Sequence, residues 1–141
     1  MGASGWDYSV PYQEDLGVAF ADLRREVFVR HDYWWVGEDD GQPWPSTEQE
    51  LWQDEDAQEA GTHSILDVHR VIGVEEKADY GTLQPVGEDE AFQLFGTRKP
   101  TSADVPDLIA LPFERWQGRC AVVYDEEGVP QKFYFWGCSG D

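Results

Sequence analysis

Along "GWDYSVPYQ", Trp6, Tyr8, Val10 and Tyr12 alternate with polar neighbours. That period of two predicts a half-buried strand, with Pro11 near its end. The period then lengthens. In "EDLGVAFADLRREVFVR", Leu16, Phe20, Leu23 and Val27 fall at helical spacing, with acids leading and Arg24, Arg25 and Arg30 trailing. This charge order suits the helix dipole. The periodicity breaks at "GEDDGQPWP", a loop by its Gly and Pro content. Ser46 with Gln49 three residues on forms a capping-box pattern. It predicts a helix from Thr47 to about Ala60, stopped at Gly61. Only Leu51, Trp52, Ala57 and Ala60 are apolar there, a thin stripe that predicts a surface helix.

Beyond this point the elements shorten. "THSILDVHRVIGV" becomes strand-like from Val68 to Val74, and "GTLQPV" reads as another short strand. "GEDEAFQLFGT" predicts a short helix carrying Phe92 and Phe95 and ended by Gly96. "TSADVPDLIALPFERW" opens on a Thr101/Asp104 cap, and Pro106 and Pro112 limit it to a short or kinked helix. "RCAVVYDEEGVPQKFYFWGC" reads as a hairpin turning near Glu127 and Gly128. Its register sets Cys120 opposite Phe135 rather than Cys138, which argues against a disulfide. Phe133, Tyr134, Phe135 and Trp136 run without alternation, so that strand needs cover on both faces and belongs in the middle of a sheet. Irregular order and a closing hairpin predict one α+β domain over residues 1–141. The expected sheet has four or five strands, mainly antiparallel, with helices packed largely on one face.

Composition changes the picture in one respect. The 141 residues are 40% hydrophobic and 14% aromatic, too rich for a disordered acidic tail, yet they carry a net charge of −19. The charge is concentrated: residues 31–69 hold eleven acids and no Lys or Arg. The stretch "HDYWWVGEDDGQPWPSTEQELWQDEDAQEA" sets four of the seven tryptophans among ten of those acids. Such a field repels nucleic acid and anionic membranes and attracts a basic protein or a cationic ligand. No apolar run approaches the roughly 18–20 residues of a spanning helix. The opening "MGASGWDYSVPYQED" has neither a basic leader nor an apolar core, so a cytoplasmic location is expected.

Templates for chemistry fail. His63 and His69 are six residues apart, which matches no common zinc spacing, and His31 stands alone. "DEDAQEAGTHSILD" has Glu59 where a calcium loop needs Gly and Ile65 where it needs Glu. Ser64 beside His63 and Ser139 beside Cys138 lie outside any nucleophile elbow. No Gly-rich phosphate loop precedes a helix. The expectation is therefore no catalytic residue, no metal and no cofactor.

The segments "VPYQEDLGVAFADLRREVF", "GTHSILDV" and "YFWGCSGD" resemble small acidic bacterial proteins of uncharacterised role. In size and acidity the chain is also similar to toxin-neutralising immunity proteins. That resemblance implies a non-enzymatic inhibitor that occludes the basic cleft of a toxin or nucleic-acid-processing enzyme. The residues placed at the contact are Tyr33, Trp34, Trp35, Asp39, Asp40, Trp44, Glu48, Trp52, Asp54, Glu55 and Asp56. The competing readings are a cleft for a sugar or cationic ligand, or a hydrolase, built on the same patch. A homodimer closed through these aromatics is a third.

Overall fold

The computed structural model describes residues 4–111 and 114–140. Strand β1, Gly5–Pro11, turns Trp6, Tyr8 and Val10 to one face, as the alternation requires. Helix α1, Leu16–Val29, is capped by Asp15, whose carboxylate accepts the Val18 N–H at 3.2 Å. It buries Ala19, Phe20, Leu23 and Val27. The helix expected over 47–60 forms as two, α2 at Glu48–Leu51 and α3 at Glu55–Ala60. Thr47 rather than Ser46 caps the first: its hydroxyl accepts the Glu50 N–H, while Ser46 donates its N–H to the Glu50 carboxylate. Asp54 starts the second by accepting from Ala57 N–H. The split has a geometric reason. Leu51 and Ala57 are both buried, and on one continuous helix residues six apart point about 120° away from each other.

The strand expected from Val68 to Val74 is mostly replaced. A 3-10 turn, Ile65–Asp67, drives Ile65 and Leu66 into the core, and only Arg70–Val71 pairs as β2. Strand β3 is Thr82–Pro85, and α4, Glu88–Phe95, ends on Gly96 in a left-handed conformation. The Thr101/Asp104 box forms at a second 3-10 turn, Ser102–Asp104, followed by α5, Val105–Leu108. Pro112 lies outside the described residues. Strands β4, Gly118–Tyr124, and β5, Pro130–Cys138, make the hairpin, with Cys120 opposite Phe135 rather than Cys138.

The sheet order is β1-β5-β4-β3-β2. β5 is antiparallel to both neighbours, whereas β3 runs parallel to β4 and β2 parallel to β3. The sheet is therefore mixed rather than purely antiparallel, with long antiparallel ladders on β5 and short parallel pairing from β4 to β2. The connection from β3 to β4 carries α4 and α5 back across the sheet and returns β4 in the same direction, as a helical crossover does. Two cores result. On the first face α1, α2, α3 and the Ile65–Asp67 turn cover Trp6, Leu83, Cys120, Phe133 and Phe135. On the second, Leu108, Val105 and Phe95 from the shorter helices cover Ala121, Val123, Tyr134 and Trp136. Helices thus lie on both faces, the larger layer on the first. β5 sits between two strands with its aromatic run split between the cores, as its lack of alternation demands.

Candidate functional site

The aromatic and acidic segment is organised by ring contacts. Leaving α1, the chain turns at His31, whose backbone is left-handed at φ 57°. The His31 ring stacks on Trp44 at 4.2 Å, Trp44 meets Tyr33 edge-on at 5.1 Å, and Tyr33 stacks on Phe28 at 5.9 Å. This ladder buries Tyr33 and holds Trp44 against the core. Burial pushes the Tyr33 phenol up to about 12, with Glu48 adding to the effect. Trp35 packs on Gly37, where an added Cβ would stand 2.7 Å from its Nε1. Trp52 is half-buried, edge-on to His69 at 5.4 Å. Burial lowers the His69 pKa, and the Arg24 charge lowers it further.

Trp34 differs from these four. It is 41% exposed, and its ring stacks at 5.5 Å on His63, another left-handed residue at φ 55°. Its N–H is held by the Thr62 carbonyl at 2.8 Å. The contact set read from sequence therefore divides. Tyr33, Trp35, Trp44 and Trp52 are drawn toward the core, and Trp34 faces solvent.

The carboxylates divide in the same way. Glu48 accepts from Arg24 at 2.6 Å, and Arg24 also donates to the Leu66 carbonyl at 3.3 Å, tying α1, α2 and the 3-10 turn together. Asp54 is occupied as the α3 cap. Asp39, Asp40, Glu55 and Asp56 stay exposed. Arg24→Ala is expected to lower stability by about 1–3 kcal/mol, because Glu48 and the Leu66 carbonyl lose a part-buried charged donor. Urea denaturation checks this. An unchanged midpoint would mean that the bridge is ornamental.

Beneath Trp34 lies a polar knot that the sequence did not single out. Asp67 is fully buried, and its Oδ1 accepts from Thr62 N at 2.7 Å and from Thr62 Oγ1 at 2.8 Å. Thr62 Oγ1 and Ser64 Oγ share a hydrogen bond at 2.6 Å. Asp67 Oδ2 has no hydrogen-bond partner among the described residues and faces Gly61, where a Cβ would meet it at 2.5 Å. Burial raises the Asp67 pKa to about 6, against the pull of the Thr62 hydrogen bonds and of His63. The visible signal was "GTHSILD", an acid and two hydroxyls inside an otherwise buried run, but nothing local said that the acid would point inward. Ser64, which stood beside His63 as a formal nucleophile pair, is fully buried and caps the 3-10 turn.

His31, His63 and His69 each lie against a different tryptophan. Among the described residues, no group of three or more His, Cys, Asp and Glu side chains is placed to hold a metal ion. No helix among them is long and apolar enough to cross a membrane. Comparison with protein-family models, curated proteins and solved structures finds no match.

Proposed function

We propose that this chain is a non-enzymatic binding protein for a basic protein partner, acting as an immunity-type inhibitor that covers a cationic cleft. The observation that carries this reading is Trp34, a large exposed ring pinned by a backbone hydrogen bond and a histidine stack. It belongs to a segment in which Asp39, Asp40, Glu55 and Asp56 are exposed and no Lys or Arg occurs between residues 31 and 69. A fixed indole supplies buried area at small entropic cost, and the exposed carboxylates of the same segment steer a basic partner and disfavour others. The inward turn of Trp35, Trp44 and Trp52 supports a flat contact over a ring-lined cleft.

The test is to place a photo-crosslinker at Asp40, identify the captured protein, purify it, and follow association by stopped flow. The association rate is expected to fall by roughly tenfold or more from low to high salt. Trp34→Ala should leave the fold intact and speed dissociation by at least about tenfold, as loss of a central aromatic anchor does. An association rate insensitive to salt removes the electrostatic part of the proposal. Unchanged dissociation in the Trp34 variant removes the anchor.

A further inference from the structure

The parallel half of the sheet makes a second feature. β2, β3 and β4 run the same way, with β3 ending opposite Cys120 and β4 continuing to Tyr124. Val74 and Glu75 follow β2, Val86 to Ala91 follow β3, and Tyr124 ends β4, and together they enclose a groove of about 620 Å³. The floor here is apolar, formed by Val74, Val86, Ala91, Pro100 and Ala121. The small side chains at 91 and 121 keep it open. Gly87 does so as well, since a Cβ there would already stand 3.3 Å from Val74 Cβ.

The rim is charged. Glu90 takes both ends of the Arg119 guanidinium at 2.7 and 2.9 Å, and Asp89 takes Arg98 at 3.2 Å. Glu75 and Glu88 also line the groove and have no ion pair among the described residues. The Tyr124 phenol, also in the lining, has its pKa raised by burial and then by the Glu88 charge. An anion entering this groove would meet two unmatched carboxylates, and an apolar group would strip them of water without replacing it. A cation with an aliphatic stem satisfies floor and rim together.

We propose that this groove is a binding site for an extended, arginine-bearing peptide segment. The methylene stem lies on the Val74, Val86 and Pro100 floor. The guanidinium reaches Glu75 and Glu88, whose planar carboxylates suit its fork. The site lies on the second face of the sheet, while the Trp34 segment packs on the first, so it stands or falls separately from the function proposed above.

The experiment is a titration of the isotopically labelled protein with a blocked hexapeptide alternating Arg and Ala. A citrulline version matches its shape without charge. The expected result is amide shifts concentrated at Val74, Val86, Ala91 and Ala121, absent with the citrulline peptide. The double variant Glu75→Gln with Glu88→Gln is expected to weaken binding by roughly tenfold, as loss of two partly exposed charged contacts does. Both side chains are exposed, so the fold should survive. Val74→Trp, at an exposed position, should block the groove sterically. Shifts confined to Trp34, His63 and α3 would overturn the groove while supporting the other face. Equal affinity in the double variant, or no shifts with the Arg peptide, would also overturn it.

Discussion

Asp67→Asn is expected to flatten the dependence of stability on pH between about 4 and 6. The folded-state pKa of Asp67 is raised from 3.8 to about 6, and burial is the main cause. A carboxyl with a raised pKa binds its proton more tightly in the folded state. Its contribution to stability is fully present below the unfolded pKa and is lost as pH rises through the folded one. The full difference amounts to at most about 3 kcal/mol, from the exchange rate of about 1.4 kcal/mol per pKa unit. Asparagine keeps an oxygen to accept from Thr62 N–H and Oγ1, and it carries no charge to dehydrate. The measurement is urea denaturation of both proteins across this pH range. The difference between them should grow as pH rises and level off above 6. The remaining carboxylates are common to both and cancel. A difference that does not change with pH would show that Asp67 titrates normally. Asp67→Ala provides the contrast: it leaves two Thr62 donors without an acceptor and should destabilise at every pH.

Gly137→Ala is expected to cost about 3 kcal/mol, near the upper end for overpacking a well-filled site. Gly118 and Gly137 face each other across β4 and β5, and Trp6 on β1 pairs with Gly137. The indole lies over both glycines. An added Cβ at 137 would stand 2.8 Å from Trp6 Cη2 and 2.6 Å from the Gln117 carbonyl oxygen, and one at 118 would stand 2.9 Å from the same ring carbon. Trp6→Ala should cost about 3–5 kcal/mol by removing a buried ring from this bed. The two changes share a contact, so they should not add. The double variant is expected to be more stable than the sum of the singles by about 1 kcal/mol or more, because the smaller residue at 6 relieves part of the clash. Strict additivity in a denaturation cycle would mean that the backbone of Gly137, and not the indole, sets its requirement.

The Trp6–Gly137 contact joins distant parts of the chain, and the Asp67 hydrogen bonds are local but buried by distant elements; neither was visible in the sequence. The candidate site shows the same limit. The carboxylate excess between residues 31 and 69 was legible as a count. Which carboxylates are left exposed was not. Glu48 is taken up by Arg24, twenty-four residues earlier, and Asp54 by a helix break that a continuous pattern did not announce. The aromatic set was likewise legible as a cluster. Its division into four rings on the core and one in water depends on Phe28, His31 and His63 as stacking partners, and histidine at a left-handed position has no periodic signature.

Periodicity, caps and turns are properties of neighbours in the chain. The alternation of β1, the stripe of α1, the reciprocal Thr101/Asp104 cap and the hairpin register with Cys120 opposite Phe135 were accordingly all readable from the residues. Strand direction is different. β3 and β4 can pair parallel because the intervening helices recross the sheet, a choice made by where Phe95, Val105 and Leu108 find apolar surface. That packing opened the groove at the strand ends. The burial of Asp67 is decided in the same way, by how the Ile65–Asp67 turn is seated beneath α1. Local backbone energetics selected the elements. Long-range burial of apolar area selected their directions and which charges kept their water.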